Sequence, residues 1–274
     1  MPAFFYPGRR CRDCCLISML VRISLQWLGL AACACLMLAC ASRAPVLEPR
    51  PHIHDPEAAG EHYTVALLGA TGMVGGYLLR EALDRGYAVR ALARTPAKLD
   101  DLSGQITIIA GDARDPAIIE ELLRGSDVVI SALGPVKADG NASAGISTAV
   151  TANILHALEG KAISQYMIVS GAAVVMPGDE RNLLGWWIRK LAQIGLRNTL
   201  QDKQAEYELL AESSVDWMLV RCPLIDAESF VTAPLSSLQT PPAFRVRAGE
   251  LAHFMMEQIE SREFVRHGPF LGSH

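Results

Sequence analysis

A glycine-rich segment, residues 69–76, constrains the fold more than any other feature of the chain. It follows an apolar, strand-like stretch and precedes a helical pattern. A strand, a glycine-rich turn and a helix in this order are the context that a dinucleotide-binding fingerprint requires. The spacing assigns a role to each of three glycines: Gly69 allows a sharp turn, Gly72 leaves room for a pyrophosphate, and Gly75 lets the helix pack closely on the sheet.

The helix after this turn adds a second argument. Its first backbone N–H groups have no acceptor within the helix, and its partial positive charge favours a phosphate. An ordinary glycine-rich turn is the alternative interpretation. The residues of this segment that we predict to bind a cofactor are Gly69, Thr71, Gly72, Met73, Val74 and Gly75.

The rest of the chain alternates strand-like and helix-like segments. Strands are predicted at residues 63–68, 87–94, 106–110, 127–134 and 165–170, and helical segments at 77–83, 95–99, 115–124 and 146–158. This alternation predicts an α/β fold, a Rossmann-type doubly wound parallel sheet with a small C-terminal substrate-side extension. The strands are almost continuously apolar, as expected when both faces of a sheet are covered.

Ligands of a doubly wound sheet bind at the carboxyl ends of its strands. An acidic residue after the second strand would accept from the 2′-hydroxyl of the adenosine ribose, whereas a cation would pair with a 2′-phosphate. Arg94 stands there, nineteen residues after Gly75, so the sequence favours NADP(H) over NAD(H); a solvated surface arginine is the alternative. Asp112 follows the third strand, either as an acceptor for the adenine amino group or as a turn residue. The turn after the fourth strand adds Ala132, Leu133 and Gly134 to the predicted cofactor site.

Composition narrows the class of protein further. The chain has 274 residues and a formal net charge of −4, which argues against a nucleic-acid partner. Residues 61–274 are long enough for one well-buried domain. Six of the seven cysteines precede residue 41 and only Cys222 follows it, so this domain is predicted to contain neither an internal disulfide nor a metal site.

The first sixty residues have a different character. Residues 1–41 place several arginines before an uncharged run, which is typical of a signal peptide, a lipoprotein signal with Cys40 as the lipidated residue, or a membrane anchor. Arg9-Arg10 is a candidate twin-arginine pair for export of a folded protein. Residues 42–60 are rich in proline and are predicted to be a linker. The expectation is a membrane-associated or exported protein, or a cytoplasmic one if the true start lies further on.

Several later motifs resemble the atypical short-chain dehydrogenase/reductase proteins, in particular the NmrA-like NAD(P)H-binding group that includes flavin and biliverdin-type reductases. These motifs join the glycine-rich turn, Arg94 and Gly111-Asp112. They are Val169-Ser170-Gly171, Asp202 to Glu206, Asp216 to Arg221 and Gly249-Glu250-Leu251-Ala252. The resemblance runs from about Tyr63 to the C-terminus and implies an NAD(P)H-dependent oxidoreductase.

The chain departs from this family pattern at the proton donor. Classical members carry a Tyr-x-x-x-Lys pair, but no tyrosine of this chain has a lysine four residues later. Thr199 stands in the place of the tyrosine and Lys203 in that of the lysine, with an exposed helical lysine as the alternative. The resemblance places Ser170 where the family's catalytic serine polarises a carbonyl, although a turn-capping serine would look the same. Ser170 and Lys203 are the predicted catalytic residues, and Cys222 is predicted to be a core thiol.

Two functions fit these observations. The first is an NADPH-dependent reductase of a planar or carbonyl small molecule such as a flavin-like compound, with substrate-side segments near residues 172–200 and 224–248. Trp186 or Trp187 would stack on that substrate, face a lipid surface or simply pack in the core. The second is a non-catalytic NAD(P)-binding redox sensor or a membrane-associated assembly factor.

Overall fold

The structure is a computed structural model that describes residues 63–134, 144–180 and 197–274. The predicted leader with Cys40, the linker over residues 42–60, and Trp186 and Trp187 lie outside these residues. Among the helices of the described ranges, none is both long enough and apolar enough to cross a membrane.

A mostly parallel sheet of eight strands organises the described residues. The strands of the whole fold are β1 (Thr64–Leu68), β2 (Ala88–Ala93), β3 (Thr107–Ala110), β4 (Val128–Ser131), β5 (Gln165–Gly171), β6 (Trp217–Cys222), β7 (Leu224–Asp226), β8 (Leu235–Ser237), β9 (Arg245–Arg247) and β10 (Phe270–Gly272). Their order in the main sheet is β3-β2-β1-β4-β5-β6-β10-β8, with only β8 antiparallel to its neighbour, and β7 and β9 form a separate parallel pair. The reversal of strand order between β1 and β4 confirms the predicted Rossmann-type fold.

Helices cover both faces of the sheet. They are α1 (Met73–Asp84), α2 (Pro116–Leu123), α3 (Ile146–Leu158), α4 (Arg197–Glu212) and α5 (Ala248–Ser261), together with a 3-10 helix at Pro96–Leu102. Helices α1 and α5 contribute to one apolar core, whereas α2, α3 and α4 contribute to the other. Side chains of β1 alternate between the two cores: Val65 and Leu67 face the first, and Ala66 and Leu68 face the second. This double burial explains why the strand sequence is apolar without interruption.

Local sequence signals located most of the elements correctly. The helix predicted after Asp115 is present as α2, and the Asp115 carboxylate accepts a hydrogen bond from the Ala117 N–H at 2.9 Å, as an N-cap should. The segment predicted as helical at 95–99 is a 3-10 helix, and the fourth strand ends at Ser131 instead of residue 134. The structure also adds short strands that the sequence did not reveal, of which β10 extends the main sheet beside β6.

Candidate functional site

The glycine-rich turn lies at the carboxyl end of β1, against the end of β4. Gly69 has a φ of 83°, a left-handed conformation that favours glycine. A Cβ at Gly69 would lie 2.9 Å from the Ala132 carbonyl oxygen, closer than side-chain carbons normally approach. The two predicted cofactor segments, one after β1 and one after β4, are therefore in direct contact, and only glycine permits that approach.

Gly75 holds the turn and the helix together. A Cβ at Gly75 would lie 1.9 Å from the Gly69 carbonyl oxygen, so any larger residue would displace the turn. The Gly72 N–H donates to that same oxygen at 2.8 Å, and a Gly72 Cβ would meet it at 3.2 Å. The helix is therefore packed closely at Gly75, as predicted, but its nearest neighbour there is the backbone of the turn. The role of Gly72 toward a pyrophosphate stays a prediction.

The start of α1 is open to a ligand. Gly72 precedes the first helical residue, Met73, and has no side chain that could cap the helix. Thr71, Gly72 and Met73 are exposed, and Val74 is half-buried. Backbone N–H groups at the start of a helix bind phosphate oxygens without any specific side chain. We call residues 69–75 the cradle. It fits the pyrophosphate of a dinucleotide, because Gly69 and Gly75 leave no room for larger side chains and the start of the helix is exposed.

A charged corner lies at the carboxyl ends of β2 and β3. Arg94 follows β2 and is exposed, in the position expected for contact with the adenosine ribose. Asp112 follows β3, and the Arg114 guanidinium donates to both of its oxygens, from Nε to Oδ1 at 3.0 Å and from Nη2 to Oδ2 at 2.6 Å. The hydrogen bond from Arg114 lowers the pKa of Asp112 to about 2, against the effect of partial burial, and the charge of Arg94 adds to the lowering. Asp112 is therefore an ionised carboxylate engaged by Arg114, a residue that the sequence analysis did not single out.

The segment after β4 lies beside the glycine-rich turn. The Ala132 N–H donates to the Leu68 carbonyl oxygen at 3.0 Å, which keeps this segment beside the glycine-rich turn. Ala132, Leu133 and Gly134 are all half-buried.

Ser170 is next to the last residue of β5 and is only 5% exposed. Within the described ranges, its Oγ atom has no hydrogen-bond partner. Most buried hydroxyl groups in proteins are paired, so a hydroxyl without a partner at the carboxyl end of a strand calls for an explanation. One explanation is that the hydroxyl binds a ligand at this end of the sheet. This agrees with the predicted role of Ser170, since its hydroxyl can donate a hydrogen bond to a carbonyl oxygen.

Lys203 lies on α4 and is buried, so the alternative of an exposed helical lysine is wrong. Its Nζ donates to the Leu133 carbonyl at 3.1 Å, to the Val169 carbonyl at 3.4 Å and to the Glu206 carboxylate at 2.9 Å. Leu133 follows β4 by two residues, and Val169 lies near the carboxyl end of β5. The lysine ammonium thus ties these two ends together, and Thr199 lies half-buried one helical turn before it.

Glu206 continues this buried network below the crevice. Its second carboxylate oxygen accepts from the Thr151 hydroxyl at 3.1 Å, which in turn lies 3.0 Å from the Tyr166 hydroxyl. Burial and the nearby Glu206 charge raise the pKa of Tyr166 far above its usual value, so this phenol stays neutral. Apart from its place in a family motif, Glu206 has no local sequence signal, because its partner Thr151 lies 55 positions away.

Asp202 fixes the start of α3 from the same helix. Its carboxylate accepts from the Ser147 N–H at 3.0 Å, from the Thr148 N–H at 2.9 Å and from the Thr148 hydroxyl at 2.7 Å. Burial acts to raise the pKa of Asp202, but these hydrogen bonds outweigh it and the pKa is lowered. Asp202 and Lys203 are adjacent in sequence, so α4 positions α3 and two strand ends at once.

Arg221 organises the C-terminal side of the crevice. It is 1% exposed, donates to Asp179 at 2.6 Å and to the Gly268 carbonyl at 2.7 Å, and lies over the Phe270 ring at 3.6 Å from the ring centroid. The next residue, Cys222, is also buried, and burial raises the pKa of its thiol. The prediction of a core thiol is confirmed.

Taken together, the fold and the cradle define a dinucleotide-binding Rossmann protein. Residues 69–262 match the model of the NAD(P)H-binding family. The chain belongs to this family, within the atypical short-chain dehydrogenase/reductase proteins, as the sequence resemblance indicated.

Known proteins similar to this chain include a 3 beta-hydroxysteroid dehydrogenase/Delta 5-->4-isomerase of Mycobacterium tuberculosis, which is 28% identical over 177 residues. The alignment covers 60% of this chain and 47% of that enzyme, so the chain spans about half the length of the curated relatives it matches.

Two solved structures share the fold at low identity. An anaerobillin reductase from Escherichia coli O157:H7 has a TM-score of 0.63 at 19% identity, covering 76% of this chain and 95% of that one. A putative NADH-flavin reductase from Streptococcus pneumoniae has a TM-score of 0.64 at 17% identity, covering 77% and 100%. The three proteins named here carry oxidoreductase names.

Proposed function

We propose that this protein is an NADPH-dependent reductase that delivers hydride to a planar or carbonyl substrate. The observation that carries the proposal is the buried Ser170 hydroxyl, which has no partner among the described residues and lies at the carboxyl end of β5. One strand away, the segment after β4 contacts the glycine-rich turn. A dinucleotide that starts at this turn and runs along the strand ends would bring its nicotinamide toward Ser170.

The cradle residues divide the work of holding the cofactor. The turn from Gly69 to Val74 would bind the pyrophosphate through backbone N–H groups, and Arg94 would pair with the 2′-phosphate. Ala132 to Gly134 would line the path toward the nicotinamide. When bound, the nicotinamide supplies the hydride.

The protein itself would orient the substrate, exclude water and stabilise the substrate carbonyl oxygen with a hydrogen bond. Ser170 Oγ would donate a hydrogen bond to the substrate carbonyl oxygen, where negative charge develops as hydride arrives. The proton that completes the reduction would come from solvent or from Ser170. Lys203 is a positioning residue in this scheme, because its described contacts are with two backbone carbonyls and Glu206. A flavin-like acceptor needs less from a general acid than a simple ketone does, which suits a chain without the Tyr-x-x-x-Lys pair.

The names of the similar proteins agree with reduction or oxidation of a small molecule: a hydroxysteroid dehydrogenase, an anaerobillin reductase and an NADH-flavin reductase. The second candidate, a redox sensor or a membrane-associated assembly factor without turnover, has no similar observation in its favour. The two candidates differ in whether the bound cofactor is consumed.

The N-terminal segment adds a proposal about location. A retained apolar segment, or a lipid on Cys40, would hold the protein at a membrane. Labelling of the wild-type protein with radioactive palmitate in the producing cells, and loss of the label in Cys40→Ala, would support the lipoprotein form. Unlabelled wild-type protein would overturn it.

The function is tested by titrating the full chain with NADPH and NADH, followed by turnover with flavin, quinone, linear tetrapyrrole and carbonyl acceptors. We expect binding and turnover, and a loss of about 100-fold in kcat for carbonyl acceptors in Ser170→Ala. Ser126→Ala is the matched control, since Ser126 is also buried but donates to the Leu122 carbonyl, just before the amino end of β4 and not at a carboxyl end. Binding without turnover would favour the sensor, and a wild-type chain that binds neither cofactor would overturn both candidates.

A further inference from the structure

The Gly249-Glu250-Leu251-Ala252 motif lies apart from the cradle, at the second to fifth residues of α5, directly after β9. Its last two residues are buried in the apolar core. A Cβ at Gly249 would lie 2.2 Å from the Phe230 backbone nitrogen, so only glycine lets the chain that follows β7 approach α5 this closely. The Gly249 N–H also donates to the Glu228 carbonyl at 2.9 Å. The segment after β7 is therefore fixed on the start of α5.

Glu250 is a fully buried carboxylate in this motif. Its Oε1 accepts from Arg247 Nη1 at 2.9 Å, and its Oε2 accepts from the Ser273 hydroxyl. Arg247 Nε donates to the Glu228 carboxylate at 2.9 Å, and the Glu228 side chain is 62% exposed. We call Glu228, Arg247, Glu250 and Ser273 the clamp, because they join the segment after β7, the end of β9, the start of α5 and the C-terminal end of the chain.

The clamp also orders the backbone around β9. The Ser273 hydroxyl accepts from the Arg247 N–H at 2.9 Å, and the Ser273 N–H donates to the Arg245 carbonyl at 2.8 Å. On its other side, β9 pairs in parallel with β7, with Asp226 opposite Arg247. The clamp therefore fixes both strands of the β7–β9 pair.

The β7–β9 pair adjoins the end of β5 that carries Ser170. Gly171 stands opposite Cys222, the last residue of β6, and the Ala172 N–H donates to the Cys222 carbonyl at 2.7 Å. Strand β7 begins two residues after Cys222. The strand pair thus lies in residues 224–248, which are predicted to form part of the substrate side.

We propose that Glu250 is a positioning residue for the substrate, which holds the β7–β9 pair beside Ser170 through the clamp. This inference rests on the proposed function, because it concerns the substrate of the same site. Removal of a carboxylate from water is costly, and an apolar residue of similar volume would occupy the position without that cost. Charge-assisted hydrogen bonds, however, direct the Arg247 and Ser273 side chains more closely than apolar packing would. Glu250 itself does not touch the substrate.

The clamp is tested first without any ligand, by hydrogen exchange and mass spectrometry of the full chain. The Leu224 N–H donates to the Phe244 carbonyl at 3.2 Å, between the two segments of the strand pair, and reports on their contact. In Glu250→Gln, which keeps the shape of the side chain but removes its charge, we expect peptides that contain Leu224 to exchange about 10-fold faster. Ser273→Ala should act in the same direction. Peptides from β1 and β4 should change much less.

Glu260→Gln is the matched control for this measurement. Glu260 lies on the same helix and also accepts from a hydroxyl group, that of Tyr87 at 2.9 Å, but near the opposite end of α5. This variant should leave exchange at Leu224 unchanged. Unchanged exchange at Leu224 in both clamp variants, or an equal increase in every peptide, would overturn the positioning role.

Steady-state kinetics then test the effect on the substrate, with NADPH as the donor and FMN or menadione as the acceptor. We expect Glu250→Gln to raise KM for the acceptor by about 5- to 10-fold while the Kd for NADPH stays unchanged, because the cradle lies at the end of β1 and not beside the clamp. Wild-type kinetics despite faster exchange at Leu224, or an equal rise in the Kd for NADPH, would overturn the role in substrate positioning.

Failure of the proposed function gives a different result. The wild type itself would then bind no cofactor or show no turnover, whereas the exchange measurement, which needs neither cofactor nor substrate, would still decide whether Glu250 holds the β7–β9 pair.

Discussion

The two ends of the crevice are built in opposite ways. At the predicted adenosine end, the Arg94 and Arg114 side chains are exposed to solvent and Asp112 is half-buried. At the nicotinamide end, the Lys203–Glu206 pair lies in the interior, with side-chain exposures of 8% and 2%. Exposed charges contribute little to folding stability and can be used to select a ligand. Breaking a buried ion pair, in contrast, strongly lowers the free energy of unfolding. Under the proposed function, the first end would decide which cofactor binds, and the second would set the geometry in which the cofactor reacts.

The largest effect is expected from breaking the buried pair. Lys203→Met leaves Glu206 charged without its partner in the interior, which should lower the free energy of unfolding by about 3–5 kcal/mol. The double variant Lys203→Met with Glu206→Gln should lose much less than the sum of the single variants, because no unpaired charge remains. Urea unfolding measures both effects.

The same variants separate the two ends of the crevice by binding. In Lys203→Met protein that still folds, NADPH should bind more weakly while 2′,5′-ADP, which carries only the adenosine half, binds as in the wild type. If binding of both ligands weakened equally, the two ends would not act independently.

The glycine-rich turn lies between the two ends. We expect substitution by alanine to have different effects at its neighbouring glycines. Gly75→Ala places a Cβ 1.9 Å from the Gly69 carbonyl oxygen, whereas a Cβ at Gly76 meets nothing within 4 Å. We expect Gly75→Ala to cost about 1–3 kcal/mol of stability and to abolish binding of both cofactors. Gly76→Ala, the matched control, should be stabilising by about 0.5–1 kcal/mol. Thermal unfolding that ranked these two variants equally would contradict the close approach at Gly75.

A pH-dependent contact joins α5 to α1, the helix that follows the glycine-rich turn. His253 on α5 bonds to Glu81 of α1 at 3.0 Å and to Glu257 at 3.3 Å. Hydrogen bonds to Glu257 and Glu81 raise the pKa of His253 to about 9, against burial and the nearby charge of Arg85, and the same contact lowers the pKa of Glu81. Because the folded-state pKa is raised, this contribution is complete below the ordinary histidine pKa near 6.5 and is lost as pH rises through about 9.

We therefore expect the wild type to lose about 1–2 kcal/mol of stability between about pH 6 and pH 10 from this group, after allowance for solvent screening. His253→Gln should flatten this part of the profile. Urea unfolding across the pH range checks it, and parallel profiles for the two proteins would show that His253 contributes nothing.

The smallest effect on stability is expected at the adenosine end. Arg94→Ala should change the free energy of unfolding by less than about 0.5 kcal/mol, because the side chain is exposed. Its effect should appear in cofactor selection alone. A loss of stability comparable to that of Lys203→Met would mean that the surface corner is also part of the fold.

Local chemistry made much of this architecture predictable. The spacing of Gly69, Gly72 and Gly75, the cap formed by Asp115, and uninterrupted apolar strands all depend on neighbours within a few residues. The 3-10 form of Pro96–Leu102 and the early end of β4 escaped prediction, because the limits of short elements depend on neighbouring strands. Arg114 lies two residues from Asp112, so a local signal existed, but only the folded turn shows which way its guanidinium points.

By itself, the sequence determined the fold class, the strand–turn–helix of the cradle and the positions of Arg94 and Ser170 at strand ends, because helix and strand periods and glycine conformations are local properties. The tertiary structure alone decided that Lys203 is buried and bound to Leu133, 70 residues away, and that Arg221 reaches Asp179, 42 residues away. It also placed β10 beside β6. Contacts across such separations form only when the whole sheet closes its two cores, so no short stretch of sequence encodes them.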